Sequence, residues 1–147
     1  MNSPGATGVR AAGAGDTVVF ALLHAAHVLE VRLESALETV GLSLAKYGVL
    51  TLLADAGEPI SLSQLAARQC CVRSNMTQLV DRLEADGLVR RIADPADRRL
   101  VLAELTPLGV ERQAAGTEHL EREQSAVVSS LSDQDRTALE LALAAIK

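Results

Sequence analysis

Residues 60–106 read ISLSQLAARQCCVRSNMTQLVDRLEADGLVRRIADPADRRLVLAELT, and the punctuation of this stretch decides the fold. Ile60, Ser61, Gln64 and Leu65 stand at the spacing of a capping box joined to a hydrophobic staple, which predicts a short helix from Leu62 to about Gln69. After a turn of about three residues, Val72, Met76, Leu79, Val80 and Leu83 recur on one helical face, so a second helix runs from Arg73 to Asp86 and ends at Gly87 as the C′ glycine. Leu88 to Ile92 and Leu100 to Leu105 are rich in Val, Leu and Ile and read as strands, joined by the turn Asp94-Pro95-Ala96-Asp97. Helix, helix and two-stranded wing in this order predict a winged helix-turn-helix.

Outward from this unit the chain is helical. Asp16 is a good N-cap, and Val18, Leu22, Ala26, Leu29, Leu33, Leu37 and Val40 follow at spacings of three and four until Gly41. At ~1.5 Å per residue this amphipathic helix spans about 36 Å, more than so small a body needs to cover, so part of its apolar stripe is expected to meet another chain. Ser43 caps a helix through Asp55 that is closed by Gly57 and Pro59. Thr106 caps another, with Pro107 at its first position, running to about Leu131, and Ser132 opens a last helix to Ile146. Residues 1–15, dominated by Gly, Ala, Ser and Thr, read as a flexible N-terminal arm. The expected fold is mainly α with a small β-hairpin wing, six helices in all. Its regions are 16–42 and 107–147 for dimerisation and 43–106 for the winged helix.

Composition agrees with one aliphatic domain. Of 147 residues, 48% are hydrophobic and 22% charged, and Phe20 and Tyr47 are the only aromatic residues, which weakens any ligand site built on ring stacking. The apolar runs are broken by charges well short of the ~20 residues of a membrane span, and the first residues lack the order of a secretory leader. A cytoplasmic protein with no membrane partner is expected. The adjacent cysteines Cys70 and Cys71 cannot frame a disulfide scaffold or complete a zinc knuckle.

A net charge of −5 argues at first sight against nucleic acid, but its distribution reverses the argument. Between Pro59 and Thr106, seven arginines (68, 73, 82, 90, 91, 98 and 99) face six acids (81, 84, 86, 94, 97 and 104), a balance of +1 that leaves −6 for the rest. A small basic footprint sits on an acidic body. Opposite the apolar stripe of the second helix lie Arg73, Ser74, Thr77, Gln78, Asp81 and Arg82. The first four are types that read base edges in a major groove, and they occupy the N-terminal half that enters it. A turn carrying Arg98 and Arg99 projects guanidinium groups toward a narrow minor groove, with Asp97 placed to orient one of them. Arg68, Arg82, Arg90 and Arg91 are candidates for phosphate contacts, or for pairing with Asp81, Glu84 or Asp86.

The sequence resembles the MarR (multiple antibiotic resistance regulator) family of winged-helix transcription regulators. The resemblance rests on Arg73-Ser74-Asn75-Met76-Thr77-Gln78-Leu79-Val80-Asp81-Arg82-Leu83-Glu84, on Gly87-Leu88-Val89-Arg90-Arg91, on Asp94-Pro95-Ala96-Asp97-Arg98-Arg99 and on Leu105-Thr106-Pro107-Leu108-Gly109. It covers roughly residues 16 to 146. It implies a homodimer joined through the first and last helices, with groove contacts by Arg73, Ser74, Asn75, Thr77 and Gln78, and wing contacts by Arg98 and Arg99. The implied function is a DNA-binding transcriptional regulator, here read as a repressor, on a pseudo-palindrome of double-stranded DNA with half-sites ~34 Å apart. One departure is Val72, which stands where the family commonly has a capping residue, leaving Cys71, or Ser74 from inside, as substitute.

The resemblance also implies release by a small amphipathic anion between the dimer helices and the winged unit, for which the candidate lining is Phe20, His24, His27, Lys46, Tyr47 and His119. His24 and His27 lie three apart on one helix, spacing that suits a metal, but no spacing links a third ligand and the expectation is no metal and no cofactor. Cys70 and Cys71 precede the helix whose dipole lowers a thiol pKa, and a redox- or metal-responsive regulator using Cys70 and Cys71 or His24 and His27 is the alternative reading; the ordinary one for the cysteines is a core Cys71 and a partly exposed Cys70. A winged helix that binds protein instead of DNA is the alternative of another class. No Gly-x-Ser-x-Gly elbow, phosphate-binding glycine loop or His-Glu-x-x-His array is present, and no enzyme is expected.

Overall fold

The computed structural model describes residues 14–69 and 72–146, and the chain divides into two compact units, Met1–Arg32 and Leu33–Lys147. Residues 1–13 of the expected arm, and both Cys70 and Cys71, lie outside the described residues. Among those described, six helices and three short strands follow in the order α1 (Ala14–Glu38), α2 (Leu44–Ala56), β1 (Ile60–Ser61), α3 (Leu62–Arg68), α4 (Arg73–Ala85), β2 (Val89–Ala93), β3 (Val101–Leu105), α5 (Pro107–Ser129) and α6 (Asp133–Ala144).

α1 begins at Ala14, so Asp16 lies inside the helix and is not its cap, because a strong helix former two residues earlier starts the turn. The helix stops where Gly41 adopts φ +71°, a left-handed turn open to glycine at little cost. There Nη1 of Arg112 donates to the Val40 carbonyl at 2.8 Å and satisfies a carbonyl at the helix end. The start of α2 is held twice. Ser43 Oγ accepts from the Lys46 amide at 3.2 Å, and Glu34 Oε2 accepts from the Leu44 amide at 2.9 Å.

Residues 60–106 fold largely as their punctuation dictates. Ser61 Oγ accepts from the Gln64 amide and Gln64 Oε1 accepts from the Ser61 amide, which completes the capping box of α3. α4 buries Met76, Val80 and Leu83 completely. Its cap Val72 is extended, has no side-chain cap bond and is 61% exposed, so it leaves the apolar face assigned to it. A residue preceding the first helical turn does not share that turn's stripe. Gly87, at φ +74°, closes α4, and the Leu88 amide returns to the Leu83 carbonyl.

The wing is the expected hairpin with a third member. β2 pairs antiparallel to β3 in the register Val89 with Leu105 through Ala93 with Val101. The two-residue β1 adds to the other side of β3, Ile60 opposite Ala103. β1 escaped the sequence reading because Ile60 and Ser61 already carried the stronger signal of a helix start. The core gathers Leu37, Val49, Leu50, Leu65, Leu88 and Val89 around the face of α4, and no polar or charged residue among those described is buried in it.

α5 is tied to the base of the wing through the hydroxyl and the amide of Thr106. Thr106 Oγ1 accepts from the Gly109 amide and donates to the Gly87 carbonyl at 2.6 Å, and the Thr106 amide donates to the Leu88 carbonyl. Gly109 then packs so tightly that a Cβ there would stand 2.0 Å from the Leu88 carbonyl oxygen. α6, capped by Ser132, buries none of its residues.

Candidate nucleic-acid interface

α4 presents Ser74, Asn75, Gln78 and Arg82 to solvent, while Thr77 is half-buried. The side chain of Arg73 lies outside the described residues, although its backbone opens the helix. Asn75, Gln78 and Arg82 share one flank of α4 and, with Ala45 and Gln69, line a depression of about 310 Å³ against α2 and α3. The sequence reading had no means of placing Ala45 and Gln69 here. Gln69 Nε2 reaches the Ala45 carbonyl at 3.5 Å and lies against Gly48, where a Cβ would sit 2.2 Å from that same nitrogen.

At the wing tip the acids shape the loop. Asp94 Oδ1 accepts from the Ala96 amide at 2.8 Å, and Asp97 Oδ1 accepts from both the Arg99 amide and Arg99 Nε at 3.1 Å. The Arg99 guanidinium, and then its amide, hold the Asp97 carboxyl below the ordinary carboxylate value. Arg98 projects beside this pair and makes no ion pair among the described residues.

The four arginines expected at phosphates separate into three kinds. Arg68 and Arg82 are exposed and make no ion pair among the described residues. Arg90 pairs across the strands with Glu104 at 2.5 Å while its side chain stays 66% exposed. Arg91, at 24% exposure, folds back onto α4, donating to Asp81 Oδ1 at 2.5 Å, to Glu84 Oε2 and to the Thr77 carbonyl at 3.4 Å. Burial works against its charge, yet the hydrogen bonds to Asp81 and Glu84 outweigh that, and its pKa rises above the ordinary guanidinium value.

This arrangement explains how an acidic chain carries a basic edge. Each of the six acids between Pro59 and Thr106 has a donor within the chain. Asp81 and Glu84 are held by Arg91, Asp86 by Lys46, Glu104 by Arg90, Asp97 by Arg99 and Asp94 by the Ala96 amide. Among the described residues, Arg68, Arg82 and Arg98 form no ion pair.

The residues proposed for an effector pocket fall in different settings. Phe20, His24 and His27 are exposed on α1, in the first unit. In the second unit Lys46 Nζ lies 2.6 Å from Asp86 Oδ2, and the Tyr47 hydroxyl lies 2.9 Å from Thr117 Oγ1. His119 Nδ1 stands 3.3 Å from Thr39 Oγ1. No three His, Cys, Asp or Glu side chains gather in metal-binding range among the described residues. The sequence reading missed a polar seam between α2 and α5, in which Gln113 Nε2 reaches Thr51 Oγ1 at 3.4 Å and Thr117 Oγ1 at 3.2 Å. Its signal was present as two facing i, i+4 pairs, Tyr47 with Thr51 and Gln113 with Thr117.

A short helix, a second helix with an exposed polar face, and a paired wing on a three-stranded sheet define a winged helix-turn-helix protein. The model of the MarR family matches residues 42–101 of this chain. It is 34% identical over 97 residues to the HTH-type transcriptional repressor YetL of Bacillus subtilis, 65% of this chain and 58% of YetL. The chain spans less than two thirds of the length of YetL and of several other curated relatives it matches. Among solved structures it is similar to AbsC, a MarR family transcriptional regulator from Streptomyces coelicolor, with a TM-score of 0.78 and 27% identity over 94% of this chain and 95% of that one. It also shares the fold of a mutant MarR from E. coli complexed with operator DNA, with a TM-score of 0.76 and 21% identity over 92% of this chain and 99% of that one.

Proposed function

We propose that the protein is a sequence-specific, double-stranded-DNA-binding transcriptional regulator, a repressor acting as a homodimer. The observation that carries this reading is the outward face of α4. Ser74, Asn75 and Gln78 stand exposed on it, while its acids Asp81 and Glu84 are both engaged by Arg91. In the major groove Gln78 and Asn75 offer the paired donor and acceptor that match adenine, and Arg73 is of the type that forks onto guanine. Arg98 and Arg99 grip the backbone or minor groove beside it, and Arg68, Arg82 and Arg90 contact phosphates that fix the register. Relatives named as transcriptional repressors, and a structural relative complexed with operator DNA, support the same reading.

Residues 43–106 form the DNA-contacting region, and 16–42 with 107–147 join two copies. Exposed apolar side chains support that assignment. In the first unit Phe20 and Leu23 are 69% and 61% exposed, and on α6 Leu141 is 70% exposed. Two copies related by a dyad place their α4 helices one turn of DNA, ~34 Å, apart on a pseudo-palindrome.

Selection of bound duplexes from a random pool, followed by mobility shift at rising salt, tests the reading. Affinity is expected to fall steeply with salt. Gln78→Ala should change which sequences are preferred, whereas Arg98→Ala should weaken all of them alike. A purified protein that retains no duplex in dilute buffer overturns the DNA reading.

A further inference from the structure

We infer that Arg91 is a positioning residue that clamps the roll of α4 to the wing, not a phosphate ligand, and that sequence discrimination depends on it. The inference rests on the DNA-binding reading above and deepens it.

Strand geometry separates Arg91 from its neighbour. Side chains alternate across a strand, so Arg91 shares a face with Val89, which is 1% exposed in the core, while Arg90 points to the other face and meets Glu104. Opposite Arg91 in the register stands Ala103, fully buried and small enough to leave space beside it. The Arg91 side chain is therefore directed to α4, and only a quarter of it is exposed.

What it meets on α4 is a line of acceptors. The Thr77 carbonyl, Asp81 and Glu84 are spaced i, i+4 and i+7 along one side of the helix, a span of about 10 Å. Nη2 serves Thr77 and Asp81, Nη1 serves Glu84, and the Arg91 backbone amide also donates to Glu84 Oε1 at 3.2 Å. A planar fork with five donors spans such a set; an ammonium reaches one acceptor at a time. α4 needs such a fixture, because its N-terminal cap is Val72 with no side-chain bond, and its apolar stripe of Met76, Val80 and Leu83 has no directional contact to fix rotation about the helix axis. Rolling α4 would swing Asn75 and Gln78 off the bases they face and release two carboxylates toward DNA.

The test is a double-mutant cycle on the full chain, read by fluorescence anisotropy with the best duplex from the selection and with a scrambled duplex of equal length. Arg91→Lys keeps the charge and loses the fork. It is expected to reduce the ratio of selected to scrambled affinity about tenfold, with the slope of log affinity against log salt unchanged. Arg98→Ala is the contrast, lowering that slope by ~0.9 per chain for a lost phosphate contact. In an Asp81→Asn, Glu84→Gln background the same Arg91→Lys change is expected to alter the ratio less than twofold, since its partners are gone.

An Arg91→Lys protein that discriminates like wild type overturns the inference. So does an Arg91→Ala protein whose salt slope falls as in Arg98→Ala with equal effect in both backgrounds, because that is the behaviour of a phosphate ligand. Hydrogen exchange gives a readout without DNA: amides of residues 80–85 should exchange faster in Arg91→Lys, while those of α2 stay unchanged. Should wild type ignore every duplex, the regulator reading falls, and exchange alone judges the clamp, unchanged protection in α4 overturning it.

Discussion

α4 and α6 are helices of 13 and 12 residues, yet α4 sinks Met76, Val80 and Leu83 completely while α6, with Leu139, Leu141 and Leu143, buries none of its residues. Composition does not explain the difference. α4 is enclosed by α2, α3 and β2, so its stripe is covered within one chain, and its outward face is free for polar work. α6 leaves its leucines exposed. An exposed apolar surface of this kind is stabilised when a partner covers it.

The largest effect should come from opening the closed region. Leu83→Ala removes a fully buried side chain and is expected to cost about 3 kcal/mol, read as a lower urea midpoint. If α6 is instead an interface element, Leu141→Glu should leave the urea transition of the winged body nearly unchanged and weaken self-association by ~2 kcal/mol or more. Sedimentation velocity should then show the mass halved at micromolar concentration. A large shift in the urea midpoint with unaltered mass would break the comparison, placing Leu141 in the fold of the single chain.

Two smaller changes probe how firmly the closed region is fastened. Val72→Ser supplies the missing cap of α4 and is expected to stabilise the protein by about 1 kcal/mol in urea unfolding. At the wing tip, Arg99 holds Asp97 below its ordinary value of 3.8, so the stabilising contact is complete above that value and is lost as pH falls through the lower value of the folded state. Arg99→Ala should bring the Asp97 titration back up, as followed by the carboxyl carbon resonance.

Much of this was legible in the chain because the signals were local. Ser61 with Gln64, Gly87 after a helical stripe, and Asp94 to Asp97 between two aliphatic runs each determine their geometry within a few residues. What stayed hidden depended on distant partners. Arg91 offered a phosphate contact or an ion pair, and only the register that sets it opposite Ala103 and toward α4 chooses between them. The pairing of Ile60 with Ala103 spans 43 positions of sequence and has no trace in the local pattern. Lys46 gave no sign beforehand that Asp86 would engage it.

The joint at Gly109 has a consequence for how such a molecule transmits movement. Where the first turn of α5 rests on the Leu88 carbonyl, the surfaces in contact are peptide groups, with no side chain between them to bend or change rotamer. A displacement of that end of α5 is therefore passed to the root of the wing without slack, as through a rigid bearing.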